Sequence, residues 1–374
     1  MDFFQSIASL LQSSAAEAAL WGFATSLALC VLIVVSKGWH GHLSLDAVQG
    51  VQKFHSTPTP RVGGLPMMLG ITLAWAEAPQ EVRDVLGPVL LASLPAFIFG
   101  LAEDITKRVG VMPRLLATMA SGLLAWWITD YSLSRVDIVG VDWILRFKVI
   151  SVIFSAFAVG GIANSINIID GFNGLASTMS ALAFIGIGVI AWQVGDRALA
   201  GAALILCSCV WGFFWVNWPL GKIFLGDGGS YAIGFALAWL GVELVERNPS
   251  VTAFSVLLIC VHPVTEVLFS IFRRRVKKLH LGHPDRLHFH SLVKQRYVRR
   301  WFDSMSLRSK NSVTGLLLGL PTFSAIWYAS QTYHSVAWSV MGFVGFSLGF
   351  VTLYVRMVSF RWRSPIGFLF SKPR

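Results

Sequence analysis

Residues 175–194 read LASTMSALAFIGIGVIAWQV, a run that contains no Asp, Glu, Lys or Arg. In a helix, a run of this length extends about 30 Å, which matches the hydrocarbon core of a bilayer. The next run, residues 198–219, is also apolar and follows after only three residues. The pair therefore predicts two consecutive membrane-spanning helices.

The same pattern continues on both sides of this pair. Hydrophobic residues make up 55% of the 374 residues and charged residues only 13%, about half the charged share of a soluble domain. The candidate spans are 18–36, 62–78, 85–102, 111–129, 149–166, 175–194, 198–219, 230–246, 251–272, 313–330 and 336–355. We therefore predict an all-α, polytopic membrane protein with about 11 transmembrane helices. We expect a single domain over residues 1–374, with the motif-bearing core at about 50–300.

The basic residues indicate how the chain lies in the membrane. Eleven spans and a periplasmic N-terminus place 24 of the 30 Lys and Arg residues in the cytoplasm, together with the C-terminus. This distribution follows the positive-inside rule, whereas an even number of spans would invert every later loop. The net charge of +11 therefore indicates topology rather than a nucleic-acid partner.

The predicted cytoplasmic loops contain most of the unusual polar residues. The first loop reads HSTPTPRVGG over residues 55–64, and the second opens with Glu103 and Asp104. Prolines and glycines in the first loop suit either a rigid turn or the close approach of a ligand. Adjacent carboxylates at a membrane boundary suit either a solvated helix end or a divalent cation. Each segment alone leaves both interpretations open.

The third and fourth loops carry stronger signals. Residues 164–174 read NSINIIDGFNG, and residues 217–230 read NWPLGKIFLGDGGS. Burial of Asn and Asp at the end of an apolar span is costly unless these side chains bind something. In the fourth loop, Asp227 lies among glycines that begin the next span. Backbone N–H groups there can bind phosphate while the carboxylate binds Mg²⁺.

The fifth loop, residues 273–312, is basic and rich in histidine. It includes His280, His283, Asp285, Arg286, His288 and His290. No thiolate accompanies the histidines and the neighbouring arginines oppose a cation, so we interpret this loop as binding phosphate rather than zinc. In the ninth span, His262 and Glu266 lie one helical turn apart, either as site residues or as a structural pair.

These motifs, in this order, resemble the polyprenyl-phosphate N-acetylhexosamine-1-phosphate transferases of glycosyltransferase family 4. The matching segments are HxxPTPRxGG at 55–64, the acidic pair at 103–104, NxxNxxDGxNG at 164–174, NWPxxKIFLGDGGS at 217–230 and HPDRLHFH at 283–290. The chain is similar to the bacterial branch that initiates O-antigen and related surface glycans. It is more distantly similar to phospho-MurNAc-pentapeptide translocase.

The resemblance implies an enzyme of the bacterial inner membrane with its active site on the cytoplasmic face. The implied reaction transfers N-acetylhexosamine 1-phosphate from a UDP-sugar to undecaprenyl phosphate and releases UMP. The implied cofactor is Mg²⁺ or Mn²⁺. The implied context is lipopolysaccharide or cell-wall biogenesis. The expected partners are these two substrates and the lipid bilayer, with a homodimer left open and no nucleic acid.

The resemblance also assigns roles to particular residues. The expected catalytic residues are Asp104, Glu103, Asp170 and Asp227, of which Asp227, Asp104 and Glu103 are the expected metal ligands. The expected substrate-binding residues are His55, Arg61, Asn164, Asn167, Asn173, Asn217, Lys222, Arg286, His288 and His290. Whether Asp104 acts as a base, a nucleophile or a metal ligand stays open.

Two positions depart from the family's usual motifs. Glu103 stands where the family usually has Asp, and Asn173 stands where its DGxDG loop has a second acid. The second departure removes a negative charge near the expected uridine site, so the identity of the donor stays open.

Two alternatives to a transferase follow from the same sequence. A secondary transporter also has many spans, but it places its polar residues near span centres and shows related halves. A scaffold for glycan assembly that has lost its activity would keep the motifs and release no UMP.

Overall fold

The computed structural model describes residues 2–46, 58–276, 278 and 287–359. The predicted substrate-binding residues His55 and Arg286 lie outside the described residues, as do His280, His283 and Asp285. The helices are α1 (Phe3–Leu11), α2 (Ala16–Val35), α3 (Lys37–Ser44), α4 (Gly64–Glu77), α5 (Gln80–Thr106), α6 (Val111–Thr129), α7 (Val139–Leu145), α8 (Lys148–Ile169), α9 (Leu175–Val194), α10 (Arg197–Asn217), α11 (Gly226–Arg247), α12 (Ala253–Ile259), α13 (Val261–Val276), α14 (Phe289–Val293), α15 (Arg299–Trp301), α16 (Leu307–Thr332) and α17 (Val336–Val358). A π-helical turn, Lys294–Val298, joins α14 to α15, and β1 (Leu45–Asp46) pairs antiparallel with β2 (Thr59–Pro60).

The prediction of an all-α chain with many membrane spans is confirmed. Within the described residues, nine helices are long and apolar enough to cross a bilayer, and α12 with α13 form a tenth candidate span that bends by 84°. Pro263 lies in the first turn of α13, where it has no N–H to continue the hydrogen bonding of α12. The bend therefore has a covalent cause in the sequence.

The predicted second span, 62–78, differs from expectation because only 14 residues of it form α4. At 1.5 Å per residue this helix is about 21 Å long, which is less than the hydrocarbon thickness. Its first residues are tied to the start of α11, since the Gly63 and Gly64 N–H groups donate to the carbonyls of Phe224 and Leu225. The following helix, α5, contacts the same start of α11 with its last turn, so α5 must begin at the opposite end of the bundle. The short α4 thus runs from one end to the other and preserves the alternation of the loops.

Helix α11 forms the centre of the bundle. All its residues from Gly226 to Val245 are buried, whereas α2, α6 and α17 keep much of their surface exposed. Close packing around its first turn depends on glycine. A Cβ at Gly64 would lie 2.3 Å from the Gly229 nitrogen, and a Cβ at Gly100 would lie 2.5 Å from the Asp227 carbonyl oxygen. Glycines at these contacts therefore bring α4 and α5 against the start of α11.

Candidate active site

Polar side chains from five segments meet at one end of the bundle, around the first turn of α11. Arg61 precedes α4, Asp104 lies in the last turn of α5, and Arg114 lies in the first turn of α6. Asn167 lies in the last turn of α8, and Asp227 is the second residue of α11. We call these five residues the carboxylate cluster. The loops assigned to the cytoplasm from the sequence therefore contribute to one site.

Asp104 binds the amino end of α11. Its Oδ1 accepts a hydrogen bond of 2.9 Å from the Asp227 N–H, and its Oδ2 accepts one of 2.8 Å from the Gly228 N–H. The first N–H groups of a helix have no partner within the helix, and they carry the positive end of its dipole. Asp104, which is buried, therefore caps α11 from a neighbouring helix and fixes the position of Asp227.

Asp227 is buried and held by three cationic or amide groups. Its Oδ1 accepts from Arg61 Nη2 at 2.6 Å and from Asn167 Nδ2 at 3.0 Å. Its Oδ2 forms an ion pair with Nη1 of Arg114. Arg61 also places its Nε 3.3 Å from Asp104 Oδ1, so one guanidinium bridges the two carboxylates.

Arg114 was not among the residues predicted from the sequence. Its guanidinium carbon lies 5.7 Å from the centre of the Tyr231 ring, and the Tyr231 hydroxyl donates to Asn164 Oδ1 at 3.1 Å. Arg114 follows Asp104 by ten residues in the same predicted cytoplasmic loop. Its position next to that acidic pair was the signal that could have identified it.

Asn164 and Asn167 both face α11. Asn164 receives the hydrogen bond from Tyr231, and Asn167 donates to the Ser230 hydroxyl at 2.9 Å as well as to Asp227. Residues three apart on a helix lie on one face, so the end of α8 holds the first turns of α11 at two points.

Asp170 follows α8 directly and lies in the field of the same arginine. Burial raises the pKa of its carboxyl from 3.8 to about 7, although Arg61 and the N–H of Gly226 both act to lower it. Asp170 therefore belongs to the same charged region as Asp104, whose negative charge it feels.

Glu103 points away from this cluster. Its Oε2 accepts a hydrogen bond of 2.8 Å from the Val109 N–H in the loop that follows α5. Adjacent residues on a helix project about 100° apart, so Glu103 and Asp104 cannot both face α11. The predicted acidic pair is divided between a loop contact and the cluster.

Asn173, Asn217 and Lys222 lie to one side of the cluster. Asn217 accepts from the Gly174 N–H at 2.6 Å and donates to the Ile223 carbonyl at 2.8 Å, so both ends of its amide hold backbone. Asn173 is buried and donates to the Ser312 hydroxyl at 3.4 Å. Lys222 is exposed. The start of α16, which contains Ser312, thereby joins the loops around the site.

The described part of the histidine loop packs against α13. His288 Nδ1 lies 3.0 Å from Glu266 Oε1, and the Phe289 N–H donates to the same carboxylate. Glu266 therefore orients this segment. His262 is buried with its Nε2 unbonded among the described residues, and its ring packs edge-on against Phe289. Of the predicted pair in the ninth span, Glu266 thus makes the polar contacts.

His290 stacks on His288 with ring centres 5.4 Å apart, and its ring meets Phe172 edge-on at 5.2 Å. Its Nε2 lies near Gly171, where a Cβ would come within 3.0 Å of it. Burial lowers the pKa of His290 to about 3, so its imidazole is neutral at physiological pH. This places a neutral imidazole beside the loop of residues 171–174.

The donor set can be tested against the implied divalent cation. Within the described residues, no group of three or more His, Cys, Asp or Glu side chains is arranged to hold a metal ion. Asp227 and Asp104 nevertheless supply two oxygen donors that share Arg61. Magnesium in nucleotide sites is commonly held by one or two carboxylates together with substrate phosphates and water. The cluster therefore fits Mg²⁺ that arrives with a phosphate ligand.

A cavity of about 180 Å³ lies at the other end of the bundle and contains none of the predicted site residues. Its lining includes Asp130, Arg146, Lys148 and Glu246, which come from the loop after α6, the start of α8 and the end of α11. The two ends of the protein therefore differ in chemistry, and the carboxylate cluster occurs only at the first among the residues described.

Comparison with known proteins gives consistent similarities. The sequence profile of glycosyl transferase family 4 matches residues 86–245. A probable undecaprenyl-phosphate N-acetylglucosaminyl 1-phosphate transferase of Bacillus subtilis (strain 168) is 26% identical over 245 residues, which are 64% of this chain and 66% of that protein. The undecaprenyl-phosphate alpha-N-acetylglucosaminyl 1-phosphate transferase of Escherichia coli (strain K12) is 26% identical over 247 residues, 65% of this chain and 67% of that protein. That of Yersinia pestis is 24% identical over the same number of residues. The chain thus spans about two thirds of the length of these relatives.

Proposed function

Because the chain belongs to glycosyl transferase family 4, we propose that it transfers N-acetylhexosamine 1-phosphate from a UDP-sugar to undecaprenyl phosphate and releases UMP. The family resemblance drawn from the motifs is confirmed by the profile match. The named activity of the relatives supports the reaction, and the transporter alternative has no support among them. The carboxylate cluster around the start of α11 is the observation that carries the proposal.

The reaction joins two anions. An oxygen of the lipid phosphate attacks the β-phosphorus of the donor, the bond from that phosphorus to the bridging oxygen breaks, and UMP leaves. Such a step requires charge neutralisation and in-line positioning more than covalent catalysis. Arg61 and Arg114 supply two guanidinium groups at the cluster, and a planar guanidinium binds phosphate oxygens in a bidentate manner.

A divalent cation would complete the site, with Asp227 as its first ligand and Asp104 beside it. When bound, Mg²⁺ or Mn²⁺ neutralises the pyrophosphate oxygens and stabilises the charge that develops on the leaving UMP. Asp227 lies at the amino end of a fully buried helix, where carboxylate and phosphate are both favoured. Glu103, which bonds the loop backbone, is no longer our choice as a ligand.

Asp104 acts, in our proposal, by orienting Asp227. Both of its oxygens already accept N–H groups of α11, and Arg61 contacts one of them. A lipid phosphate is largely ionised near neutral pH, so the attacking oxygen needs no strong base. This argument favours a positioning role over that of base or nucleophile.

We place the site on the cytoplasmic face of the inner membrane, where a UDP-sugar is available. The 24 basic residues on the assigned cytoplasmic side support this orientation, and the cluster lies in loops of that side. Initiation of O-antigen or another surface glycan is the pathway we propose, because that branch of the family shares the five motifs.

Release of UMP by the purified protein tests the proposal. The full chain is incubated in detergent with Mg²⁺, undecaprenyl phosphate and, in turn, UDP-GlcNAc, UDP-GalNAc and their 6-deoxy relatives. We expect UMP from at least one donor, and none when Asp227→Asn replaces the parent. Absence of UMP with every donor, combined with binding to partner glycan enzymes, would support the inactive scaffold instead.

A further inference from the structure

Arg114 occupies the carboxylate that the proposed function gives to a divalent cation. Among the described residues, the Asp227 Oδ2 atom has Arg114 as its only polar partner. The Asp227 Oδ1 atom bonds Arg61 and Asn167, and both oxygens of Asp104 bond the backbone of α11. Oδ2 of Asp227 is therefore the oxygen that departure of one side chain would release.

Arg114 can leave this position at lower cost than Arg61. Arg61 contacts both Asp104 and Asp227, whereas Arg114 contacts Asp227 alone among carboxylates. The other neighbour of Arg114 is the face of Tyr231, an interaction that does not saturate the guanidinium donors. A phosphate group close by would offer those donors a stronger partner.

We propose that Arg114 substitutes for the divalent cation at Asp227 until the pyrophosphate of the donor draws its guanidinium away. This inference rests on the proposed function, because it takes a nucleotide pyrophosphate as the ligand. In the free protein the arginine compensates a buried carboxylate, which would otherwise be costly. In the complex the same oxygen becomes available to the metal.

The exchange couples the binding of metal and donor. Metal alone must compete with Arg114 for Asp227, whereas metal that arrives with a pyrophosphate does not. Coupling between two ligands is reciprocal, so the donor raises metal affinity by the same factor by which metal raises donor affinity. Arg114 thereby favours joint binding of the two over binding of metal alone.

Binding of Mn²⁺ without any sugar donor tests the proposal. The full chain in detergent is titrated with Mn²⁺, and free Mn²⁺ is followed by electron paramagnetic resonance. We expect Arg114→Gln to bind Mn²⁺ about tenfold more tightly than the parent in the absence of nucleotide, a factor within the usual range of coupling between ligands. Addition of UDP should tighten Mn²⁺ binding more in the parent than in this variant.

Two further variants separate charge from structure. Arg114→Lys retains a cation and should keep the weak Mn²⁺ binding of the parent. Arg108→Gln removes an exposed arginine of the same loop and should leave Mn²⁺ binding unchanged. Melting temperatures in detergent establish that each variant is folded.

Equal Mn²⁺ affinity of the parent and Arg114→Gln without nucleotide would overturn the proposal, as would equal tightening in Arg114→Gln and Arg114→Lys. Should Arg114→Gln not fold, the parent alone decides, because Mn²⁺ affinity that does not change on addition of UDP contradicts the exchange. The nucleotide-free titration uses neither sugar nor lipid. Its failure therefore leaves the proposed transfer standing, whereas tightened Mn²⁺ binding without UMP release would contradict only the transfer.

Discussion

At the scale of single residues, Glu103 and Asp104 show what a sequence can and cannot assign. Both acids are visible at the end of an apolar run, and the family motif gives both a metal-binding role. Only the packing of α5 against α11 decides that Asp104 caps the central helix while Glu103 bonds its own loop. The direction of a side chain on a helix depends on which neighbour the helix meets, and that information is not local.

The two acids should therefore differ when each is converted to its amide. Asp104→Asn replaces one acceptor by a donor and leaves a buried N–H of α11 unbonded, at a cost of about 1–3 kcal/mol. The first turn of α11 should shift, and a displacement of this kind lowers turnover by about 100-fold. Glu103→Gln keeps an acceptor for Val109 and should change turnover by less than about threefold.

Initial rates of UMP release and melting temperatures in detergent measure both effects. A loss in Glu103→Gln as large as that in Asp104→Asn would contradict the division of roles.

Asp170 gives a prediction for the dependence of stability on pH. Its folded pKa of about 7 lies above the unfolded value of 3.8, so the folded state prefers the protonated carboxyl. Its contribution to the free energy of unfolding is therefore fully present below pH 4 and is lost as the pH rises to about 7. Asp170→Asn removes this dependence, so relative to the parent it should gain about 2 kcal/mol between pH 5 and pH 8.

Chemical unfolding in detergent at the two pH values measures the difference. A gap between parent and Asp170→Asn that stays constant from pH 5 to pH 8 would show that the carboxyl is already ionised throughout this range.

The asparagines illustrate the same limit of sequence reasoning. Polar side chains at the ends of apolar runs predict a site, but Asn167 contacts Asp227 whereas Asn217 bonds only backbone. Both residues satisfy the rule that buried polar groups find partners. The sequence reveals that a partner is needed, and the fold determines whether that partner is a ligand, a catalytic carboxylate or a loop.

At the scale of helices, hydropathy located the elements well because each lipid-facing run must satisfy its own backbone. Each predicted span coincides with a helix or, for 251–272, with the bent pair α12 and α13. The bend and the shortness of α4 were not predicted, since a window of about 20 residues reads through Pro263 and includes the loop before Gly64. Both differences lie where a helix end meets the site.

Glycines on two helices should respond in opposite ways to alanine. Gly100 of α5 faces the backbone of Asp227, so an added Cβ would force the two helices apart at a cost of about 1–3 kcal/mol. Gly161 of α8 has nothing within 4 Å of its virtual Cβ, so Gly161→Ala should stabilise the helix by about 0.5–1 kcal/mol.

Gly100→Ala should also lower UMP release by more than about tenfold, because it displaces Asp227. Melting temperature and initial rate are measured together for both variants. Parent-like behaviour of Gly100→Ala would contradict the close contact between α5 and α11.

At the scale of the whole molecule, the arrangement of loops follows from alternation. Segments that are far apart in sequence meet at the start of α11 because successive helices cross the bundle in opposite directions. Charge counting predicted which loops share a face, but it could not predict which loop residues would touch. That the carboxylate cluster forms from those loops agrees with the assignment.

Labelling with a membrane-impermeant maleimide in intact cells tests the orientation. The four native cysteines are buried and give little background. A cysteine in place of Asp130, whose side chain is 83% exposed at the end opposite the cluster, should react. A cysteine in place of exposed Lys222 should react only after the cells are permeabilised. The reverse pattern would place the cluster on the outer face.

Transfer of the β-phosphorus tests the central claim most directly. The purified chain is given Mg²⁺, undecaprenyl phosphate and a UDP-N-acetylhexosamine labelled with ³²P at the β-phosphate. We predict that the label passes into the lipid phase while unlabelled UMP is released, and that Asp227→Asn abolishes both. Label that stays in the aqueous phase as UDP or as unreacted donor, with every donor tried, would contradict the account.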